Sequence, residues 1–220
     1  MKILCVIPAL HEDLSKVTLK SIEKQTIPVT RILVLSQKVE GRTLPERVSR
    51  VLNEGLMGVN LRDFDFLLRV DGDVFLPFDF IEENLRACPD LCGGAGYAML
   101  IRVEPFLRIM NGFFHCEDDD SYIRAKFSMC GCKVMPYQVQ PVLLRRPGRH
   151  HGLKYYIEQG RRHYRLGWMP FWLVSSIRFD LLEIFEVLGY LAAFTRRGKR
   201  FDVAGYVQRH QIRRLLGWKN

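Results

Sequence analysis

No run of 18 uncharged apolar residues occurs in this chain, which excludes a helix of the kind that spans a bilayer. The apolar opening, Met1 to Pro8, is too short before its proline for a signal peptide and reads as a first strand. Without a secretion signal, the six cysteines (Cys5, Cys88, Cys92, Cys116, Cys130 and Cys132) are expected as reduced thiols in a cytoplasmic protein. Their spacing is not the usual paired pattern of a structural zinc site. Internal repeats and low-complexity tracts are absent. The cluster Gly93-Gly94-Ala95-Gly96 has neither the spacing nor the preceding strand of a dinucleotide fingerprint and reads as a loop entering the next strand. Acids are scarce late in the chain: residues 145–220 carry 16 basic and 5 acidic side chains, a balance of +11, against 17 and 19, or −2, for residues 1–144. A near-neutral body with a basic tail section suggests contact with anions, either lipid head groups or nucleic acid.

What is present is enough chain for a core. The 220 residues are 48% hydrophobic, which fits one domain or one plus an appendage. Apolar runs of strand length stand at residues 3–7, 31–36 and 65–70. Between them, Leu14 to Lys24 (Leu14, Val17, Ile22) and Pro45 to Met57 (Val48, Val51, Leu52, Leu56) show helical spacing. The start is therefore β-α-β, with parallel strands and a right-handed crossover. A short helix at 79–87, a strand at 97–101, a helix at 119–129 and a strand at 133–135 continue the pattern. The fold class is α/β: an open, mixed, mostly parallel sheet flanked by helices, with its site at the carboxyl edge.

After Pro147 the character changes. Lys154 to Arg165 mixes tyrosines with basic residues. Phe171 to Phe194 is one helix or two, with an apolar arc of Val174, Ile177, Leu181, Ile184, Phe185, Leu188 and Leu191. A last basic helix carries Val207, Ile212, Leu215 and Leu216. The expected division is a domain over 1–150 and a helical, basic extension over 151–220. That extension either lies on a membrane surface, with Trp168, Trp172 and Trp218 beside its arginines, or packs as an ordinary core helix under a solvated basic face.

The most telling stretch is Leu67-Leu68-Arg69-Val70-Asp71-Gly72-Asp73. A buried strand delivers two carboxylates to its end, and residues two apart on an extended chain face the same way. Gly72 lets the backbone turn and a ligand approach. Two hard oxygen ligands on a small loop suit Mg²⁺ or Mn²⁺ carrying a diphosphate. Asp-Gly is also common turn chemistry, so this stretch alone leaves both readings open.

Several further stretches, in order, resemble the inverting family 2 glycosyltransferases. Pro8-Ala9-Leu10-His11-Glu12 is similar to the family's Pro-x-x-Asn-Glu loop, with His for Asn. Ser21-Ile22-Glu23-Lys24-Gln25-Thr26 matches its Ser-Leu-x-x-Gln-Thr. Asp71-Gly72-Asp73 resembles its Asp-x-Asp. Glu117-Asp118-Asp119-Asp120, with Arg124 one turn on and Gly131 after the helix, resembles its Glu-Asp-x-Asp. His150-His151 and Gly160-Arg161 are similar to its late histidine and Gly-Arg pair. Two motifs depart from the pattern. Leu35-Ser36-Gln37-Lys38 stands where the family has Asp-Asp-Gly-Ser, and only Arg50 and Asn53 remain of an Arg-Asn pair.

The resemblance implies the GT-A fold, a Rossmann-like nucleotide-diphospho-sugar transferase fold. It implies a nucleotide-diphosphate sugar as donor and a glycan or lipid-linked acceptor. The donor pocket is expected at Pro8, Ala9, Leu10, Glu12, Ser36, Asp71, Gly72 and Asp73. The metal, Mn²⁺ or Mg²⁺, is expected on Asp71, Asp73 and His151. Asp118 is implied as the general base, with Gly94, Glu117 and Asp120 toward the acceptor. The plain alternative is that the four acids only charge a helix amino terminus. The rival function is a non-catalytic protein on a GT-A-like scaffold that binds anions, a membrane or nucleic acid. The acids argue against a phosphate backbone at that face. A nucleotidyltransferase would show a Gly-rich basic loop after the first strand, which Pro8 to Glu12 lacks.

Overall fold

Every residue of the first strand, β1 (Ile3–Pro8), is buried, as expected of a strand covered on both sides. A computed structural model of the chain describes residues 1–9, 12–36, 39–41, 43–93, 97–118, 120–144, 152–176 and 181–217. The elements that follow are α1 (Glu12–Glu23), β2 (Arg31–Leu35), α2 (Leu44–Met57), β3 (Phe66–Val70), β4 (Val74–Phe75), α3 (Phe80–Leu85), β5 (Leu91–Cys92), β6 (Ala98–Arg102), α4 (Val103–Met110), α5 (Ser121–Met129), β7 (Val134–Met135) and β8 (Val142–Leu143). Then come α6 (Leu153–Leu166), α7 (Pro170–Ser176), α8 (Ile184–Thr195) and α9 (Ala204–Leu215). The chain divides into two compact units, residues 1–146 and 147–220.

The first unit is built on a six-stranded sheet of order β2-β1-β3-β6-β5-β7. β1, β2, β3, β5 and β7 share one direction and β6 runs against them. Alternation along β1 and β3 sends side chains to two cores. Leu4, Val6 and Leu67 meet Val51, Leu52 and Leu56 of α2, Phe106 of α4, and Ile123 and Phe127 of α5. Ile3, Cys5, Ile7, Phe66 and Leu68 meet Ile22 of α1 and Phe80 and Ile81 of α3. Helix α2 starts where Thr43 caps it, its Oγ1 accepting from the Glu46 N–H at 3.3 Å, with Pro45 in the first turn.

Most predicted elements are present with ends shifted by at most two residues. Helix α5 starts at Ser121 rather than 119, because Asp118 and Asp120 serve as its caps. The segment 171–194 forms two helices. Helix α4 and the small β4–β8 sheet have no counterpart in the sequence reading.

Cys5 and Cys92 are buried in the sheet. Burial pushes the Cys92 thiol up to about 11, and the Cys5 thiol higher still. The folded chain therefore holds both protons more tightly than the unfolded chain. That stability is fully present below about pH 8.5 and is lost as pH rises toward 11, at ~1.4 kcal/mol per pH unit for each thiol. Urea melts at pH 8 and pH 10 should show the drop, and Cys92→Ala should flatten part of it.

In the second unit α6 and α8 cross at two glycines. A Cβ on Gly160 would stand 1.8 Å from the Glu186 carbonyl oxygen, and one on Gly189 2.1 Å from that of Ile157. The crossing places Tyr164 edge-on to Tyr190, centroids 5.6 Å apart, and the Tyr190 hydroxyl donates to the Trp168 carbonyl at 2.7 Å. His163 stacks on Trp168 and pairs with Glu186. Gly160→Ala should drive the helices apart and cost about 3 kcal/mol or more. Gly205→Ala on α9, where the nearest atom is 3.6 Å away, should be nearly neutral in the same thermal melts.

The apolar arc read from the sequence is turned outward here. Val174, Ile184, Leu188 and Leu191 are 56%, 46%, 51% and 46% exposed, while Leu173, Tyr164 and Tyr190 make the core. The reason lies in the crossing: the closely approaching face of α8 is the one carrying Gly189 and Tyr190. The side chains of Ile177 and Leu181, and all of Trp218, lie outside the described residues.

Candidate active site

The parallel strands of the first unit end at Pro8, Leu35 and Val70, and the Asp71-Gly72-Asp73 loop begins there. This carboxyl edge is where open α/β sheets bind ligands. The loop is tied down on four sides. The Asp71 N–H donates to the Tyr97 carbonyl at 3.0 Å, and the Val74 N–H to the Asp71 carbonyl at 3.2 Å. Thr18 of α1 donates its hydroxyl to the Gly72 carbonyl at 2.9 Å. The Leu144 N–H donates to the Asp73 carbonyl at 2.9 Å, extending the β4–β8 pairing. Gly72 packs closely on the strand beside it: a Cβ there would stand 3.1 Å from the Ala9 Cα and 3.3 Å from the Pro8 carbonyl oxygen, tighter than an ordinary contact.

Beneath the loop lies a cation. Arg69 of β3 is 3% exposed, and its Nη2 is 2.9 Å from Asp71 Oδ1. Leu67, Arg69 and Asp71 follow the two-residue period, so Arg69 shares the sheet face covered by α2, α4 and α5.

Asp118 reaches the same edge by another route. Helix α5 runs into β7 through residues 130–133, and β7 is parallel to β5, so the amino end of α5 stands toward the carboxyl edge. The approach to α5 is clamped by Asn53 of α2. Its Nδ2 donates to the Phe114 carbonyl at 3.0 Å and its Oδ1 accepts from the Phe114 N–H at 2.7 Å. Asp118 is fully buried, and its Oδ1 accepts from the Ser121 and Tyr122 N–H groups at 2.9 and 3.1 Å. Asp120 Oδ1 accepts from the Ser121 N–H and hydroxyl. The Glu117 N–H donates to His115 Nδ1 at 3.3 Å, and the His115 ring stacks on Tyr122 at 4.0 Å.

Pro8, Ala9, Ser36, Asp71, Gly72 and Asp73 stand at or just after the ends of β1, β2 and β3, and Glu117, Asp118 and Asp120 stand at the amino end of α5, which the topology turns toward the same edge. Glu12 opens α1 nearby. Leu10, Gly94, Asp119, His150 and His151 lie outside the described residues. Beyond β2, Val39, Glu40, Gly41, Glu46, Arg47 and Arg50 line an open recess of about 610 Å³. Thr18, Arg69 and Asn53 carry geometry that motif reading did not assign. Arg69 leaves a signal as a charge inside an apolar strand, and Asn53 as half of an Arg-Asn pair.

Among the described residues no group of three or more His, Cys, Asp or Glu side chains is placed to hold a metal ion. Asp71 and Asp73 offer two hard oxygen donors on one tethered loop. That donor set fits a divalent cation which takes the rest of its shell from diphosphate oxygens and water.

No family model matches the sequence, and no curated protein matches it. Among solved structures the chain is similar to the mannosyltransferase PcManGT from Pyrobaculum calidifontis, determined in complex with GDP-Man and Mn²⁺. The TM-score is 0.55 at 15% identity, over 97% of this chain and 80% of that one. It is also similar to S. aureus TarS, with a TM-score of 0.50 at 15% identity, over 91% of this chain and 44% of that one. The fold is that of the GT-A glycosyltransferases.

Proposed function

We propose that the chain moves a sugar from a nucleotide-diphosphate sugar to an acceptor hydroxyl or phosphate by a single inverting displacement. What supports the reading is the tethered Asp71-Gly72-Asp73 loop at the carboxyl edge of a GT-A sheet, with the amino end of α5, which carries Asp118, turned by the topology toward that edge. Asp71 and Asp73, with His151, would hold Mn²⁺ or Mg²⁺, which would supply Lewis-acid stabilisation of the charge on the leaving diphosphate. Pro8, Ala9, Leu10, Glu12 and Ser36 edge the nucleotide, and the recess at Arg47 and Arg50 adjoins it. The tethers on Gly72 and Asp73 hold the loop in one geometry, which lowers the entropy lost on binding. Asp118 takes the proton of the acceptor hydroxyl as its oxygen bonds to the anomeric carbon. The bond from that carbon to the diphosphate breaks, and its electron pair leaves with the diphosphate. Glu117, Asp120 and Gly94 contact the acceptor. The burial of Asp118 requires the site to open as the acceptor enters.

The second unit supports a finer form of this reading, in which the acceptor is lipid-linked and the protein lies on the anionic inner face of a membrane. Ile184, Leu188 and Leu191 form one exposed apolar face of α8, and Arg196, Arg197 and Lys199 are exposed just beyond it. No helix among the described residues is long and apolar enough to cross a membrane, so association would be at the surface. Each basic residue near an anionic leaflet contributes ~1 kcal/mol. A second copy of this basic unit would be repelled. The same charge keeps open the reading of a non-catalytic anion binder.

The direct test is a screen of nucleotide sugars for transfer and hydrolysis with Mn²⁺ or Mg²⁺. Thermal shift with UDP or GDP plus Mn²⁺, against the same with DNA, separates transferase from anion binder. Stabilisation by DNA alone would refute the transferase. Flotation with anionic vesicles at low salt tests the membrane; an unbound protein would defeat that part.

A further inference from the structure

Among the described residues, one buried basic side chain, Arg69, stands beneath the Asp71-Gly72-Asp73 loop. Arg69 is the one charged residue of β3, flanked in register by Val6 and Met99, both fully buried. A guanidinium at 3% exposure is costly to desolvate and persists only with a fixed counter-charge, here Asp71 Oδ1 at 2.9 Å. A structural ion pair would serve as well deeper in the sheet. This one is at the strand end, and its acid belongs to the exposed loop: Asp71 is 27% exposed.

We infer that Arg69 is a positioning residue that makes divalent-cation binding contingent on the nucleotide diphosphate. The inference rests on Asp71 and Asp73 being the donor-binding pair. Two consequences follow from its place. First, Asp71 Oδ1 is committed to the guanidinium, so the carboxylate is held in one orientation. Second, a fixed positive charge under the doublet offsets one of its two negative charges. A bare cation therefore meets a weakly attractive site, in keeping with two carboxylates rather than a full cage. A diphosphate brings the missing negative charge and oxygen ligands, and is itself drawn to Arg69. At low local dielectric this one charge outweighs several exposed ones. Cation and nucleotide then bind as a pair, and the cation leaves with the diphosphate.

The test titrates Mn²⁺ by electron paramagnetic resonance, alone and with UDP or GDP, on the full chain. Arg69→Gln removes the charge and keeps a hydrogen-bonding group. It should bind Mn²⁺ alone about tenfold more tightly and the nucleotide–Mn²⁺ pair about tenfold more weakly. Arg69→Lys keeps the charge but not the forked geometry. It should retain the wild-type affinity for Mn²⁺ alone while weakening the pair severalfold. These opposed shifts are what a merely structural residue would not produce. If Arg69→Gln lowers both affinities or changes neither, the inference fails. If that variant does not fold, Arg69→Lys decides: a loss of both affinities overturns the inference. A wild-type chain that binds no nucleotide with Mn²⁺ refutes the proposed function instead.

Discussion

Asp118→Asn is expected to lower sugar transfer by about a thousandfold, within the range of a lost general base. The substitution isolates one property. Asp118 Oδ1 caps α5 by accepting from the Ser121 and Tyr122 N–H groups. The amide oxygen of Asn accepts both equally well, so the helix start and the fold persist. What goes is the ability to take a proton from the acceptor. Donor binding, read as thermal stabilisation by nucleotide plus Mn²⁺, should be nearly unchanged. Asp118→Ala loses the cap as well, at about 1 kcal/mol, and should be both inactive and less stable. An Asn variant that transfers sugar at the normal rate would show that the acids at 117–120 only charge the start of α5.

Asp73→Ala should abolish metal-dependent turnover, a loss of about a thousandfold or more, because several kcal/mol of charge stabilisation depend on the cation that Asp73 helps hold. The loop should survive. Its tether to Leu144 runs through the Asp73 backbone carbonyl at 2.9 Å, which the alanine keeps. The melting temperature should therefore hold while Mn²⁺ no longer increases nucleotide binding. Full activity in this variant would remove Asp73 from the donor site and leave the Asp-Gly-Asp loop as a turn.

How much of this was readable beforehand varies by feature. β1 is an unbroken apolar run because helices cover both faces of the sheet there, and β2 and β3 are apolar apart from Arg31 and Arg69, so all three announce themselves. Helices α2 and α5 carry their inward residues at helical spacing, whereas in α1 Ile22 is buried but Val17 is exposed, its inward face being completed by the polar Thr18 and Ser21. Helix α4 was missed because it is eight residues long and starts directly from β6, with Pro105 in its first turn. The β4–β8 pairing was missed because two-residue strands have no period to detect. Asn53 was read as half of a motif, whereas its side chain closes both hydrogen bonds on the Phe114 backbone. The outward turn of Leu188 and Leu191 is hidden because α8 carries apolar residues on several faces and its Glu186 pairs inward with His163, so its pattern does not name the buried face.

Local chemistry was decided by the chain alone: strand runs, caps, the basic tail and two carboxylates around a glycine all act within a few residues. Their assembly was decided by the tertiary structure. Thr18 and Leu144 meet the Asp71–Asp73 loop only because strands stack in register and a helix returns between them, and such long-range pairing leaves no mark at either position. The same holds for the second unit, where two glycines far apart in sequence choose which face of α8 is inside.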